Sequence, residues 1–359
     1  MALPRDASPD GSAIPKPPGR QSRLLRCEAE HRNEQSIRYP GKSPTPPFPT
    51  KSLPYHVLFV FLDGVGLGLD DPAQNALAAL RLPAFERLAG GQRWTQAAAP
   101  LHQPGHVFHP IDANLGVEGL PQSGTGQATL FTGINCAAVA GRHFGPFPHS
   151  KTRPVLATEN IFQKINALNL PFDEPAVFAN AYPDRFFSYV DKTDRWTVTT
   201  RCCLEAGLRI RTHRDVLAGK ALTADLTAAG WPQADPALSP ITEEEAGRRL
   251  VEISHSHAFT LFEYFLSDKA GHSRSIDRAT AVLQALDRFF AGLLSTFDPA
   301  RALLIVTSDH GNLEDLSTKS HTRHAVPLVA YGRGADVFAS VEDLTDVTPA
   351  VMRALGRGC

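Results

Sequence analysis

The chain has 359 residues, a formal net charge of −1 and a hydrophobic content of 42%. The neutral charge argues against a nucleic-acid binder held by a basic surface, and five cysteines without a CxxC pair do not resemble a disulfide framework. Since no apolar run approaches the ~18 residues of a membrane span, we expect a globular cytoplasmic protein without a membrane or nucleic-acid partner.

The N-terminal segment, residues 1–54, is predicted to be a disordered tail. It contains 11 of the 29 prolines and no apolar periodicity. A basic arm for RNA or phospholipid is the alternative, but nine Lys or Arg against five Asp or Glu give only a weak positive charge. Folding is expected to begin at Val57.

Four apolar runs predict strands of a sheet with buried faces: residues 57–62, 259–266, 302–306 and 326–331. Apolar residues that recur every three or four positions across 276–297 predict a helix starting near Ser275. A last helix is expected at 349–355, opening with Pro349. Alternating strands and helices indicate an α/β fold, a three-layer sandwich with a mostly parallel sheet.

The middle of the chain, about residues 146–245, differs from the rest in composition. It contains scattered aromatic residues, many arginines and no strong buried-strand run. We interpret it as an inserted cap domain that holds substrate, which leaves 55–145 and 246–359 as the core domain.

Three of the apolar runs end in an aspartate, namely Asp63, Asp268 and Asp309. Ligands of open α/β sheets bind beyond the carboxyl ends of the strands, so neighbouring parallel strands would bring these carboxylates together. The alternative for a single strand-end Asp is a cap of the following loop or helix. Three histidines accompany the aspartates at short spacing: His272, His310 and His321.

Carboxylate and imidazole groups suit divalent ions such as Mn²⁺ or Zn²⁺, and the set lacks the thiolates that a structural zinc site favours. Six such ligands exceed one tetrahedral site, so we expect two metal ions. Two divalent cations outweigh the three aspartates in charge, which leaves a positive site for an alkoxide and a phosphate.

A nucleophile is expected in the small-residue segment 122–133 (QSGTGQATLFTG). Ser123 precedes a predicted helix that begins near Gln127, and helix N-termini favour an alkoxide and a bound phosphate. Metal coordination would activate the hydroxyl further. Thr125 is the second candidate, and a plain turn with an N-cap is the structural alternative.

Five strings follow one another along the chain. They are Asp63-Gly-Val-Gly, the Ser123 segment ending in Thr132-Gly133, Asp268-x-x-x-His272, Thr307-Ser-Asp309-His310-Gly-Asn and His321-Thr-Arg-x-x-Val-Pro. Together they resemble the alkaline phosphatase superfamily, and within it the phosphopentomutase and cofactor-independent phosphoglycerate mutase branch. The resemblance implies a sandwich core with an inserted cap, two divalent metals and a phosphorylated Ser or Thr intermediate.

Carried over by position, the resemblance implies two ligand sets. One ion would be held by Asp63, Asp309, His310 and the Ser123 oxygen, and the other by Asp268, His272 and His321. The string from His321 to Arg323 is similar to that of phosphopentomutase, whereas the spacing from Asp268 to His272 is similar to that of the phosphoglycerate mutase. Because the two similarities point to different enzymes, they identify neither activity.

The expected function is phosphoryl transfer from a small phosphomonoester through a phosphoserine, with hydrolysis slightly favoured over mutase chemistry on a sugar phosphate or phosphoglycerate. A catalytically inactive metal- or phosphate-binding protein is the rival. Arg142, Arg153 and Lys269 could grip phosphate oxygens, or each could be a solvated surface charge. The glycines within 64–68 follow a strand but lack dinucleotide-binding spacing, so a Rossmann dehydrogenase is rejected.

Overall fold

The structure, a computed structural model, describes residues 55–231 and 237–357, so the predicted tail lies outside the described residues. The strands in these ranges are β1 His56–Leu62, β2 Leu101–Gln103, β3 His106–Ile111, β4 Ala176–Phe178, β5 Ala181–Tyr182, β6 Arg211–Thr212, β7 Phe259–Tyr264, β8 Ala302–Thr307 and β9 Val326–Gly332. The α-helices are α1 Ala76–Ala79, α2 Pro83–Leu88, α3 Ser123–Thr132, α4 Cys136–Ala140, α5 Arg153–Glu159, α6 Ile161–Asn166, α7 Asp184–Thr193, α8 Val198–Glu205, α9 His213–Leu217, α10 Glu243–Ser254, α11 Leu266–Ser273, α12 Ile276–Thr296 and α13 Leu344–Arg357, with a 3-10 helix at Ala335–Phe338.

Seven strands form one sheet in the order β2-β3-β9-β8-β1-β7-β4. The four strands β8, β1, β7 and β4 are parallel, whereas β9 runs antiparallel to both β8 and β3. On the central strand β1, Phe59 and Phe61 face one apolar core while Leu58 and Val60 face the other. Burial on both faces explains why the run 57–62 is apolar throughout instead of alternating.

Helices cover both faces of this sheet. One core includes residues of α3, α5, α6, α8 and α13, and the other includes residues of α2, α10 and α12. The predicted α/β three-layer sandwich with a mostly parallel sheet is therefore confirmed. The helix predicted after Ser275 is α12, and the Ser275 side chain caps it by accepting a hydrogen bond from the Arg278 N–H. Within the described ranges, no helix has both the length and the apolarity that crossing a bilayer requires.

Three element boundaries differ from the prediction. The run 259–266 is a strand only to Tyr264, because Leu266 begins α11 and Asp268 therefore lies in the first turn of a helix. Helix α3 begins at Ser123 itself rather than near Gln127. Helix α13 begins ahead of Pro349, where the Asp343 carboxylate accepts a hydrogen bond from the Thr345 N–H at 2.7 Å.

The segment predicted as an inserted cap, 146–245, divides between the main core and a smaller assembly. Strand β4 pairs with β7 in the main sheet, and helices α5, α6 and α8 pack into one of its cores. Strands β5 and β6 pair in a separate two-stranded sheet, next to a small cluster made by Ala181, Val216, Ala221 and Leu238. The boundaries of a cap domain stay a prediction.

Candidate active site

The predicted acidic and histidine residues meet at the carboxyl edge of the sheet. Asp63 follows β1, Asp309 follows β8, and Asp268 follows β7 on α11, so three adjacent parallel strands deliver them. Because β9 runs antiparallel to β8, the connection 308–325 starts and ends at this same edge. It returns His321 onto His310, and the two rings stack with 3.8 Å between their centroids.

The first cluster consists of Ser123, Asp63, Asp309 and His310. Nε2 of His310 lies 3.0 Å from Oγ of Ser123, 3.3 Å from Oδ1 of Asp63 and 3.5 Å from Oδ2 of Asp309. All four residues are buried. The four donor atoms therefore surround one position in the protein interior.

Two carboxylate oxygens in this cluster have no hydrogen-bond partner among the described residues: Oδ1 of Asp63 and Oδ2 of Asp309. Burial raises the pKa of Asp309 to about 7, and the nearby carboxylate of Asp268 adds to the effect. Burial, followed by the charge of Asp309, also raises the pKa of Asp63 well above its ordinary value. Buried, orphaned carboxylate oxygens that face a common position fit a divalent cation, which would compensate their charge.

The second cluster consists of Asp268, His272 and His321. Asp268 and His272 stand four residues apart on α11, with Nε2 of His272 3.4 Å from Oδ2 of Asp268. Nε2 of His321 lies 3.5 Å from Oδ1 of Asp268 and 3.1 Å from Nε2 of His272. One helix and one loop thus aim a carboxylate and two ring nitrogens at a second position.

The proton positions of the two rings follow from their other contacts. Nδ1 of His272 lies 2.9 Å from the Lys319 carbonyl oxygen, and Nδ1 of His321 lies 2.7 Å from that of Pro121. A carbonyl only accepts, so each Nδ1 donates, which leaves the Nε2 atoms of the two rings facing each other and Asp268. Burial lowers the pKa of His321 to about 4, which keeps that ring neutral at pH 7 with a lone pair on Nε2. Two ring nitrogens 3.1 Å apart beside a carboxylate need a proton or a cation between them, and this donor set fits a metal as well.

Ser123 is the hydroxyl that faces the clusters, whereas Thr125 is not. Thr125 is fully buried, its Oγ1 accepts from the Phe144 N–H at 3.1 Å, and Oγ1 lies 3.3 Å from the carbonyl oxygens of Phe144 and Gln122. These backbone contacts occupy the Thr125 hydroxyl. Ser123 instead begins α3, where the first N–H groups have no partner inside the helix and favour an anion.

Gly124 brings the Ser123 helix against a neighbouring loop. A Cβ on Gly124 would overlap the Phe147 carbonyl oxygen and lie 2.7 Å from that of Phe144. We expect Gly124→Ala to lower the free energy of unfolding by about 1–3 kcal/mol through this backbone overlap. Gly356→Ala is the control, since a Cβ there meets nothing within 4 Å and the helix gains up to about 1 kcal/mol. Urea unfolding of both variants checks the prediction, and equal stabilities would contradict it.

The three residues predicted to bind phosphate oxygens lie in different surroundings. Arg142 is exposed, stacks on Phe144 at 5.6 Å, and lines a cavity of about 540 Å³ that Gln122, the residue before Ser123, also lines. Lys269 is exposed next to Asp268 and stacks on Phe265 at 4.5 Å. Arg153 forms an exposed ion pair with Asp194 at 3.4 Å instead. Of the three, Arg142 has the position that best suits a substrate contact.

Two polar residues that hold the aspartates, and a third that binds the neighbouring backbone, were not anticipated from the sequence. The Gln127 amide donates to Oδ2 of Asp63 at 3.2 Å, and the Asn312 amide donates to Oδ1 of Asp268 at 2.6 Å. The third, Glu314, is buried and accepts hydrogen bonds from two backbone N–H groups. For Asn312 the only signal in the sequence was its position two residues after the predicted ligand His310.

The glycine string at 64–68 has a packing explanation. A Cβ on Gly64 would lie 2.8 Å from Oδ1 of Asp268, and a Cβ on Gly66 or Gly68 would overlap the Glu314 side chain. Gly64 also has φ +70°, a conformation that L side chains rarely adopt. These glycines bring the loop after β1 close to the site, and they explain the string without a dinucleotide.

Comparisons with known proteins bear on the second half of the chain. Residues 240–357 match the family model described as the metalloenzyme superfamily. The chain is 32% identical over 104 residues to a 2,3-bisphosphoglycerate-independent phosphoglycerate mutase of Halobacterium salinarum, which covers 27% of this chain and 20% of that protein. The chain spans about a fifth to a quarter of the length of the curated relatives it matches.

Solved structures resemble the chain over most of its length. The PH0037 protein from Pyrococcus horikoshii matches with a TM-score of 0.50 and 13% identity, covering 85% of this chain and 98% of that one. Alkaline phosphatase from the Antarctic bacterium TAB5 matches with a TM-score of 0.46 and 13% identity, covering 85% and 99%. At 13% identity the first likeness concerns the fold alone. The family match and the aligned mutase confirm the resemblance that the ordered motifs indicated.

Proposed function

We propose that this chain, whose residues 240–357 match the family model described as the metalloenzyme superfamily, is a two-metal phosphoryl-transfer enzyme acting on a small phosphomonoester. One observation supports this more than any other. The Ser123 hydroxyl lies 3.0 Å from Nε2 of His310, and His310 belongs to two groups of potential metal ligands, one with Asp63 and Asp309 and the other with Asp268 and His321.

Each cluster would hold one divalent ion. Ser123, Asp63, Asp309 and His310 would bind the first, and Asp268, His272 and His321 the second. Bound divalent ions lower the pKa of a coordinated hydroxyl and offset the negative charge of a phosphate. The all-oxygen-and-nitrogen donor set favours Mn²⁺ or Zn²⁺ over softer ions.

The residues of the chain have separate tasks in the proposed reaction. The Ser123 hydroxyl gives its proton to water and its Oγ attacks phosphorus in line. An Oγ–P bond forms, and the ester P–O bond breaks to release an alkoxide that takes a proton from water. The N–H groups of Ser123 and Gly124 at the start of α3 would face the phosphate oxygens and favour their charge, whereas the Thr125 N–H donates to the Phe144 carbonyl at 2.8 Å. Arg142, at the cavity beside Ser123, would contact a remaining phosphate oxygen.

The acceptor in the second half-reaction separates the two candidate activities. Water attacking the phosphoserine gives a phosphatase, and a second hydroxyl of a retained sugar or glycerate gives a mutase. A mutase must hold its product while it reorients, which needs a closed polar enclosure. The segment 146–245 contains many arginines but no recognisable arrangement of such polar contacts, which favours hydrolysis. The aligned phosphoglycerate mutase is the observation that favours the second activity.

We expect chelator-treated wild-type protein to bind two Mn²⁺ or Zn²⁺ ions per chain and to gain hydrolysis of p-nitrophenyl phosphate when they are restored. Metal analysis and initial rates measure both, and a screen of phosphorylated metabolites scores phosphate release against isomerisation. Two bound ions without turnover of any phosphomonoester would favour a metal- or phosphate-sensing protein. Isomerisation without phosphate release would favour the mutase.

A cytoplasmic location is part of the proposal. Cys136, Cys202 and Cys203 are free and buried in the structure. Unpaired thiols are the usual state in a reducing compartment.

A further inference from the structure

Glu314 is a buried carboxylate to which four donors converge. Its Oε2 accepts from the Gly66 N–H at 2.9 Å and from the Asn312 N–H at 2.7 Å. Its Oε1 accepts from the Thr322 hydroxyl and from Nδ1 of His324 at 3.1 Å. The side chain is about 1% exposed, so these contacts replace the water that a carboxylate would otherwise bind.

The hydrogen bond between Glu314 and His324 favours the charged form of each group. Burial by itself would raise the pKa of Glu314, but hydrogen bonds from His324 and Thr322 outweigh it and hold that pKa below its ordinary value. The hydrogen bond to Glu314 raises the pKa of His324. An ionised buried carboxylate with a full set of donors fixes their positions more tightly than a neutral amide could.

The four donors belong to two connections that carry proposed metal ligands. Gly66 lies on the loop after β1, and Asn312, Thr322 and His324 lie on the connection 308–325 between β8 and β9. A Cβ on Gly311 would overlap both Glu314 and Thr322, so the backbone approaches this carboxylate closely there too. Glu314 therefore ties the site's loops together, while its recorded hydrogen bonds go to none of the proposed ligands.

The connections of Glu314 favour one ligand set over the other. Asn312 orients Asp268, because its side-chain amide donates to Oδ1 of Asp268 at 2.6 Å while its own N–H is held by Glu314. Thr322 is the residue directly after His321, and its N–H donates to the Gly311 carbonyl at 3.0 Å. Glu314 therefore supports two of the three members of the second cluster, each through one intervening residue: Asp268 through Asn312, and His321 through Thr322. The first cluster is reached only along the chain, from Gly66, three residues beyond Asp63, and from Asn312, two residues beyond His310; neither residue donates a hydrogen bond to a side chain of that cluster.

We propose that Glu314 is a positioning residue for the metal site of Asp268, His272 and His321, and that it controls the affinity of that site more than the affinity of the site at Ser123. This inference rests on the proposed two-metal function. Glu314 belongs to neither ligand set, but in this proposal it holds the Asp268 carboxylate and the His321 imidazole in the geometry that binds the ion. Partners of this kind typically account for about 10–100-fold in metal affinity.

Glu314→Gln keeps the side-chain shape and removes the charge. We expect calorimetric titration of the chelator-treated variant with Mn²⁺ or Zn²⁺ to show one ion bound with wild-type affinity and the other weakened by about 10–100-fold. Asp315→Asn is the matched control, since it makes the same charge change at the next residue, whose Oδ1 accepts from Ser317 on the loop surface. That control should bind both ions like the wild type.

The outcomes separate this inference from its premise. Wild-type protein that binds fewer than two ions would overturn the proposed function and this inference together. Two ions bound by the wild type, with the Glu314→Gln variant showing either unchanged affinities or equal weakening at both sites, would overturn the inference alone. If Glu314→Gln fails to fold in chelator, His324→Gln, which alters only one of the four donors, decides by the same titration.

Discussion

Ser123→Ala is expected to reduce turnover of a phosphomonoester by at least about 1000-fold, because the variant loses the hydroxyl that lies 3.0 Å from Nε2 of His310 in the first cluster. The variant keeps six of the seven proposed ligands, so both ions should remain bound. The Oγ–P bond cannot form in the variant. Mass spectrometry of acid-quenched protein after mixing with substrate should therefore show a phosphorylated Ser123 peptide in the wild type alone.

Thr125→Ala is the comparison variant for this experiment. Its hydroxyl contacts the backbone of Phe144 and Gln122, so we expect a loss of stability of about 1 kcal/mol and a much smaller effect on turnover. Full activity in Ser123→Ala together with inactivity in Thr125→Ala would move the nucleophile to Thr125. Full activity in both variants would rule out a covalent intermediate on this segment.

Asp309→Asn is expected to have opposite effects on stability with and without metal. The pKa of Asp309 is raised to about 7 by burial and then by Asp268, so the folded state holds this proton more tightly than the unfolded chain. The stabilisation from that proton is lost as the pH rises from about 4 through about 7. In chelator, the neutral amide should therefore make the variant more stable than the wild type by roughly 3–4 kcal/mol above pH 7, with no gain near pH 4.

Metal should reverse this ranking. The wild type gains about 4 kcal/mol when the free metal concentration is 1000 times the dissociation constant. The variant lacks the ionised oxygen that Asp309 would supply and should gain far less. Urea unfolding at several pH values, with chelator and with Mn²⁺ or Zn²⁺, measures both effects. Asp298→Asn serves as a surface control with an exposed ion pair to Arg301, and a gain in Asp309→Asn that is independent of pH would refute the explanation.

The fold was largely predictable because its central strands are buried on both faces. Continuous apolar runs such as 57–62 and 302–306 leave few alternatives to a covered parallel sheet, and the Ser275 cap marks the start of α12 directly. The predicted end of β7 was wrong, because the apolar composition continues from β7 into the start of α11. Leu266 continues the run of β7 in composition, yet it begins α11, since composition alone does not distinguish a buried strand from a buried helix turn.

The site was predictable to the extent that local sequence marks it. A carboxylate at the end of an apolar run signals the sheet edge, which is how Asp63 and Asp309 were found. Glu314 gave no such signal. Two of its partners are backbone N–H groups, which leave no mark in the sequence, and one of them belongs to Gly66, which lies 248 residues earlier in the chain. Gln127 was missed for a related reason. It reaches Asp63 only because α3 begins at Ser123, which places its amide one helical turn behind the hydroxyl.

The interior position of β1 in the sheet limits how such a protein can change in evolution. Its neighbours on both sides, β8 and β7, come from the second half of the chain, so the strand that delivers Asp63 lies between partners encoded far downstream. Deleting β1 would separate β7 and β4 from the rest of the sheet. We therefore expect a descendant that kept the fold but lost the chemistry to differ by substitutions at positions such as Ser123 rather than by loss of this segment. Intact length and an intact sheet would then say little about whether a homologue is active, and the identities at a few positions would say most.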